Sequence, residues 1–285
     1  MNISILSHTK VNYKMYVLVL AGLLIYILFI TYKWRDEHEE FSLHVADENK
    51  PPPVYCLMVT GHTHDRVAFA RNSVANFLSQ SYDDKHMVII NQSDTAITEE
   101  DRPSILEIFV NSEGKTLGEL RNMSLQLVPP NAIWTTWDDD DWRAPEYIST
   151  MVSAMERENA DFLMYQTRIE YNHLTKFAFK LTLRSGLMTF FAKQNPYLQY
   201  AHVPTSEDKP LKDFAKRHLN TYVLKNDPKL YIRLIHGGNT SVYVDKTKRG
   251  LKDTRTNKNF FEDPLSDEEQ KFVDNIISKY YTKYV

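Results

Sequence analysis

The sequence predicts an α/β fold: one domain with a mostly parallel sheet flanked by helices. Three observations predict it. Short β-branched and aromatic runs, "VYCLMVTG" (54–61), "HMVIINQSD" (86–94) and "NAIWTTW" (131–137), read as buried strands. Stretches with apolar residues at helical spacing lie between them. The first strand, helix and second strand therefore form a β-α-β unit, with parallel strands and a right-handed crossover.

The elements follow in order. After the strand at 54–61, "DRVAFARNSVANFLSQSY" (65–82) places apolar residues at 67, 69 or 70, 74, 77 and 78, one face of a helix. The strand at 86–94 runs into a polar turn, and 97–111 holds a turn and a third short strand. "LGELRNMSLQLV" (117–128) is a helix stopped by Pro129 and Pro130. The strand at 131–137 leads into four aspartates, and "APEYISTMVSAMERENA" (144–160) is a helix with Pro145 near its start. "DFLMYQTRIEYN" (161–172) and "GLMTFFAKQN" (186–195) read as strands. Residues 206–220 form a helix for which Ser206 is the expected N-cap. "KLYIRLIHGGNTSVYV" (229–244) is a strand, a Gly-Gly turn and a short extended stretch. Residues 246–285 form a C-terminal extension, with a helix starting at Ser266.

The N-terminus differs in kind. After a tail at 1–14, "MYVLVLAGLLIYILFITY" (15–32) has no charge and is just long enough to span a bilayer. Tyrosines at 13, 16 and 32 and Trp34 suit the interfaces. No small-residue cleavage site follows, so the expectation is a retained single-pass anchor rather than a signal peptide. Residues 33–53 read as a stem ending in "ENKPPP". Lys10 and Lys14 before the span nearly balance Lys33 and Arg35 after it. Sequons at Asn91, Asn122 and Asn239 fall inside the folded part, where a glycan would obstruct folding. With a single cysteine, Cys56, they point the folded part to the cytosolic side; a type II, lumenal orientation stays open.

Composition excludes several classes. The 285 residues carry a formal net charge of −3, with no basic surplus for nucleic acid. One cysteine excludes an internal disulfide and a cysteine zinc site. Many aromatics and few glycines suit a packed enzyme.

Three polar strand ends remain: the loop at 61–66, the turn at 91–94 and Asp138 to Asp141. Ligands of open parallel sheets bind beyond such ends. Adjacent carboxylates repel one another, so four at the tip of a core strand suit a cation site better than a solvated charge run.

The order of strand, "FLSQSY", "VIIN", "RN", "DDDDW", "ED" and "YIRLIHGGNTS" resembles the inverting glycosyltransferases of family two, which have a GT-A fold. The resemblance covers about 54–245 and implies a nucleotide-sugar-binding domain. It implies that Asp138 and Asp140 take the D-x-D positions and hold Mn²⁺ or Mg²⁺, with Asp141 and Trp142 as further candidates beside them. Asp139 is counted with the donor contacts. In the "ED" pair Asp208, beside Glu207, is the expected base for the acceptor hydroxyl. His236 is expected at the metal or diphosphate, with Asn239 in the same stretch. Thr60, Gly61 and Arg66 line the first strand end, and Arg121 and Asn122 lie near the diphosphate. The family has an aspartate at the end of the second strand. This sequence offers Asn91, Gln92 and then Asp94, which leaves the nucleotide base open.

The expected activity is metal-dependent, inverting transfer of a sugar from a nucleotide-diphosphate sugar to a hydroxyl on a glycan, glycoprotein or lipid-linked acceptor. Two alternatives stand beside it. One is a degenerate module that binds a sugar nucleotide or scaffolds other membrane enzymes. The other is a nucleotidyltransferase, against which the single glycine of "TGHTHDRVAFAR" counts.

Overall fold

In a computed structural model, the residues described are 50–61, 63–98, 102–186, 189–204, 206–236 and 260–281. The expected tail, anchor and most of the stem, the 237–244 stretch and Asn239 lie outside them. Among the described residues no helix is long and apolar enough to cross a membrane. Pro51–Val285 forms one compact unit.

The β-α-β start is present. Strand β1 (Val54–Thr60), helix α1 (His64–Leu78) and strand β2 (Lys85–Asn91) come first, with β1 and β2 parallel. Then follow β3 (Ile105–Phe109), helix α2 (Leu117–Leu125) and β4 (Ile133–Thr136). The next elements are β5 (Trp142–Arg143), α3 (Tyr147–Arg157), β6 (Phe162–Tyr165), β7 (Thr167–Asn172) and β8 (Phe177–Leu183). Strand β9 (Phe190–Lys193), helix α4 (Lys209–His218), β10 (Thr221–Leu224), β11 (Tyr231–Ile235), β12 (Phe260–Pro264) and helix α5 (Asp267–Tyr280) complete the chain.

Seven strands make the main sheet in the order β10-β6-β9-β4-β1-β2-β3. It is parallel except where β9 runs antiparallel between β4 and β6. The chain leaves β1 toward β2 and β3 on one side and returns to β4 on the other. That reversal opens a crevice beyond the ends of β1 and β4, where a doubly wound sheet binds its ligand. A second, mainly antiparallel sheet follows the order β12-β8-β7-β11-β5. The sequence reading had a single mostly parallel sheet and did not foresee this one. Asn226 Oδ1 accepts from the Gln166 and Thr167 amides at 3.1 and 3.0 Å, and the run "DFLMYQTRIEYN" splits at Gln166 so that its halves enter different sheets.

Helix α1 is held to the sheet by polar residues as well as apolar ones. Asn76 donates to the Arg143 carbonyl at 2.7 Å and accepts from the Arg143 amide at 2.9 Å. Gln80 donates to the Ala144 carbonyl at 2.9 Å and accepts from the Ile148 amide. Buried backbone groups need such partners where the ladder stops. The effect is to pin β5 and the start of α3, the chain that leaves the acidic turn.

Helix α2 begins with a capping box, Thr116 with Glu119, and α5 with another, Ser266 with Glu269. The expected cap at 206 is displaced. Ser206 has φ 59°, in the left-handed region, and Asp208 stands at the N-cap of α4 without a side-chain cap bond. Helix α5 is part of the main core through Val273, Ile276 and Ile277, joined by its C-cap Tyr281.

Candidate active site

The acidic turn hangs from the end of β4. Ser73 of α1 accepts from the Trp137 indole at 2.9 Å and donates to the Asp138 carbonyl at 3.1 Å. The Arg143 guanidinium is fully buried, 4.1 Å from the Trp137 ring and 4.9 Å from the Tyr231 ring. Cation–π contact is one of the few ways to bury a guanidinium among aromatics. From behind, the Tyr281 hydroxyl donates to the Asp140 carbonyl at 3.4 Å.

The four carboxylates have separate environments. Asp138 is the most open, its side chain 38% exposed, and it accepts from Arg121 at 3.0 Å. Asp139 is buried and paired with Arg66, while its Oδ2 has no hydrogen-bond partner among the described residues. Asp140 accepts from Arg66 at 2.8 Å and lies 3.0 Å from His236 Nε2. Burial and the neighbouring Asp140 charge push the Asp139 carboxyl up, against the pull of Arg66. Burial also opposes ionisation of Asp140, but the His236 bond and Arg66 outweigh it and hold that carboxyl below its usual range.

Asp141 and Trp142 are corrections. Asp141 is buried beneath β11, where it accepts from the Tyr231 hydroxyl and from the Leu234 amide at 3.0 Å. It is a brace between the turn and the second sheet. Trp142 is a core residue of β5, edge-on to Phe272 of α5 at 5.6 Å. Neither faces the crevice.

The expected His236 is brought to the turn. Its ring is buried, stacks on Phe69 at 4.7 Å and meets Asp140. Arg233, on β11 just before it, faces Glu170 of β7 at 3.5 Å, within an ion-pair group that includes Arg168. Its role is structural.

The "RN" and "ED" pairs converge. Arg121 donates to Asp138 at 3.0 Å and to Glu207 at 2.6 Å, and its guanidinium lies 5.5 Å from the Tyr200 ring. Asn122 does something else. Its amide donates to the Tyr200 carbonyl and accepts from the Tyr200 amide, both at 2.9 Å. This clamps the chain before the "ED" pair, and the Tyr200 hydroxyl bonds Thr136 of β4 at 2.7 Å. The donor contact expected of Asn122 is thus corrected to a backbone clamp. Gly118 lets α2 come this close, since a Cβ there would overlap the Ala201 carbonyl and stand 3.2 Å from Glu207 Cβ.

Glu207 is buried and committed to Arg121, which makes it a positioning residue. Asp208 is half-buried. Burial, then the Glu207 charge, push its carboxyl up to about 6, with Arg121 pulling the other way. A carboxyl poised there is suited to general base work near neutral pH.

At the first strand end, Thr60 is buried and its carbonyl accepts from Gln92 at 2.8 Å. Gly61 leaves room for Arg66, whose Cγ would lie 3.0 Å from a Cβ there. At the second strand end Asn91 is fully buried. It donates to Thr95 O and Glu107, and accepts from the Ser93 amide and hydroxyl. An amide so used has nothing left for a nucleotide base; this corrects the expectation for Asn91. Asp94 is exposed at the tip of the loop. Sequence reasoning missed Glu107, which accepts from Asn91, Ile97 N and Thr98 and so ties the loop down. It also missed Ser73, Asn76, Tyr200 and Tyr231. Polar residues at 73, 76 and 80 on the apolar face of a helix were the available signal.

Among the described residues no group of three or more His, Cys, Asp or Glu side chains is arranged to hold a metal ion. The chemistry of the donor set still fits a hard cation. Asp138 and Asp140 offer carboxylate oxygens, and Asp139 Oδ2 is a buried acceptor without a partner among the described residues. Mg²⁺ and Mn²⁺ are commonly held by one or two carboxylates, with substrate phosphate and water completing the shell.

Residues 62–207, just over half of the chain, match the profile of Glycosyl transferase family 2. The chain belongs to that family. Among solved structures it is similar to S. aureus TarS 1-349 in complex with UDP-GlcNAc, with TM-score 0.54 and 14% identity over 66% of this chain and 60% of that one. It also matches S. aureus TarS 1-349 in complex with UDP, with TM-score 0.49 and 16% identity over 64% and 60% of the two chains. At this identity the likeness is one of fold, and the chain spans about 60% of the length of the TarS structure. No curated protein sequence matches the chain. In the family-two chain Arg121 joins Asp138 to Glu207, and His236 meets Asp140 in the same turn of a GT-A-like fold.

Proposed function

We propose that this family-two chain is a metal-dependent, inverting glycosyltransferase, moving a sugar from a nucleotide-diphosphate donor to an acceptor hydroxyl. The carrying observation is the Arg121 bridge from Asp138 to Glu207, which sets Asp208 beside the acidic turn. Donor site and base then belong to one crevice. S. aureus TarS 1-349, which shares the fold, is known in complex with UDP-GlcNAc, which makes UDP-sugars the first donors to try.

The chain's own residues define the steps. Asp138 and Asp140, with His236 beside them, would hold Mn²⁺ or Mg²⁺. Bound there, the ion would supply Lewis-acid neutralisation of the departing diphosphate. Arg66 and Arg121 bring positive charge to the same place, and a guanidinium pairs well with phosphate oxygens. With Asn91 committed to its own loop, Gln92 and Asp94 are the groups left at the second strand end to meet the base. Asp208 takes the acceptor proton as the hydroxyl oxygen attacks the anomeric carbon. Attack from the face opposite the leaving diphosphate inverts the configuration. The nearby carboxylates also favour the oxocarbenium-like centre.

The test is product stereochemistry. The full chain is given α-linked UDP-sugars and a simple alcohol acceptor, with Mn²⁺ or with chelator, and the anomeric proton coupling is read by NMR. A β-linked product that needs the metal supports the reading. A retained α-linkage, or transfer untouched by chelator, refutes the corresponding part of it. The degenerate-module alternative is favoured if donor binds and nothing is transferred or hydrolysed.

A further inference from the structure

The Arg66 guanidinium stands where a bound cation is expected. One Nη pairs with Asp139; the other lies 2.8 Å from Asp140 Oδ2 and 3.3 Å from His236 Nε2. Asp140 Oδ2 also meets His236 at 3.0 Å, so that oxygen already has two partners. A divalent ion ligated by it, at about 2.1 Å, would overlap the space of the guanidinium. The two cations compete for one position.

The site is built for the arginine to lie there. Gly61 leaves the room its side chain crosses. Arg66 is mostly buried, 18% exposed, while the Asp139 side chain is 1% exposed and that of Asp140 is 9% exposed. Adjacent buried carboxylates without a cation would carry a heavy desolvation cost. Yet the grip is incomplete, because Asp139 Oδ2 has no partner among the described residues.

We propose that Arg66 is an internal counter-cation: it holds the acidic turn together in the empty enzyme, yields its place to the divalent ion, and turns to the donor diphosphate. The inference rests on the reading of the turn as a donor site. It explains why no preassembled metal cluster is present among the described residues. It also makes metal and donor binding cooperative, since the diphosphate gives the displaced guanidinium a new bidentate partner. Metal alone must displace an intramolecular competitor, which lowers its apparent affinity by the fraction of molecules in which the arginine is out.

The test measures Mn²⁺ binding to the full chain by the loss of the free-ion EPR signal, with and without UDP. Wild type, Arg66→Met and Arg66→Lys are compared, with folding checked by circular dichroism. Wild type should bind Mn²⁺ weakly alone and much more tightly with UDP. Arg66→Met should bind Mn²⁺ alone tighter than wild type by roughly tenfold or more, because the competitor is gone. It should also gain more melting temperature from Mn²⁺ than wild type does. Arg66→Lys, a point charge that cannot fork between two carboxylates, should fall between them and decides the matter if the methionine variant does not fold. Equal Mn²⁺ affinity in the variants and wild type, with UDP still raising it, overturns the exchange alone. No Mn²⁺ binding by any form, with or without UDP, overturns the donor-site reading as well.

Discussion

Arg121 lies 2.6 Å from Glu207, and through the other arm of the same guanidinium it reaches Asp138. The pair joins the helix that carries "RN" to the segment that carries "ED". Glu207 is buried, so its loss of a partner is costly: breaking a buried ion pair from one side costs about 3 kcal/mol or more. Arg121→Met is expected to lower stability by roughly that amount in urea unfolding. Glu207→Gln keeps one hydrogen bond and the shape, so it should cost less and lower kcat more than it raises KM.

Asp208 gives a pH signature. Its carboxyl is raised to about 6 by burial and by Glu207. As a base it must be ionised, so kcat/KM, which reports the free enzyme, should rise with pH through about 6 and level off above. The sign for stability is opposite. Between the unfolded value near 4 and the folded value near 6, the native state binds more protons than the unfolded one, so this group's contribution falls as pH rises. Asp208→Asn should remove both slopes and lower turnover by roughly 10²- to 10⁴-fold. A rate profile flat from pH 5 to 8 in wild type would contradict the assignment.

Gly118 is a test of close approach. Alanine is the better helix former by about 1 kcal/mol. Here its Cβ would meet the Ala201 carbonyl, a backbone atom that cannot swing away. Gly118→Ala should therefore destabilise by about 1–3 kcal/mol net of propensity, and should disturb the Tyr200 clamp and the "ED" pair together. An alanine variant as stable and active as wild type would show that α2 can retreat freely.

Glu107 fastens the loop beyond β2. Burial raises its pKa, but bonds from the Ile97 and Thr98 amides, the Thr98 hydroxyl and Asn91 outweigh that and lower it. A lowered carboxyl stabilises the fold above its unfolded pKa, and that stability is lost as pH falls through the folded value. Glu107→Gln should increase hydrogen exchange at Ile97 and Thr98 and raise the KM for donor with kcat little changed. Unaltered exchange at both amides would show that the loop stands without the carboxylate.

Much of this architecture was legible in the sequence, for physical reasons that also mark where legibility stops. The strands at 54–60, 85–91 and 133–136 were readable because central parallel strands are apolar on both faces. Strand β8, "FAFKLTL", was not read, although it alternates. Its hairpin with β7 turns on Asn172, which accepts from the Leu174 and Thr175 amides, and on Lys176 at φ 55°, without the glycine that usually marks such a turn. The acids announced themselves, since four adjacent carboxylates at a strand end need a reason. That Asp141 is a brace and Asp138 the open member was hidden, because their partners lie far along the chain in Tyr231 and Arg121. Asn91 read as a base contact for the same reason: Glu107, which claims it, sits on the neighbouring strand.

The most direct measurement is release of UDP from UDP-sugars by the full chain with Mn²⁺, beside Asp140→Asn and Asp208→Asn. The expected result is turnover of one donor by wild type, raised by acceptor and lost in both variants, with UDP binding kept in Asp208→Asn and weakened in Asp140→Asn. Equal turnover in all three forms, or no donor bound by a folded wild-type chain, would contradict the assignment of the acidic turn and Asp208 to glycosyl transfer.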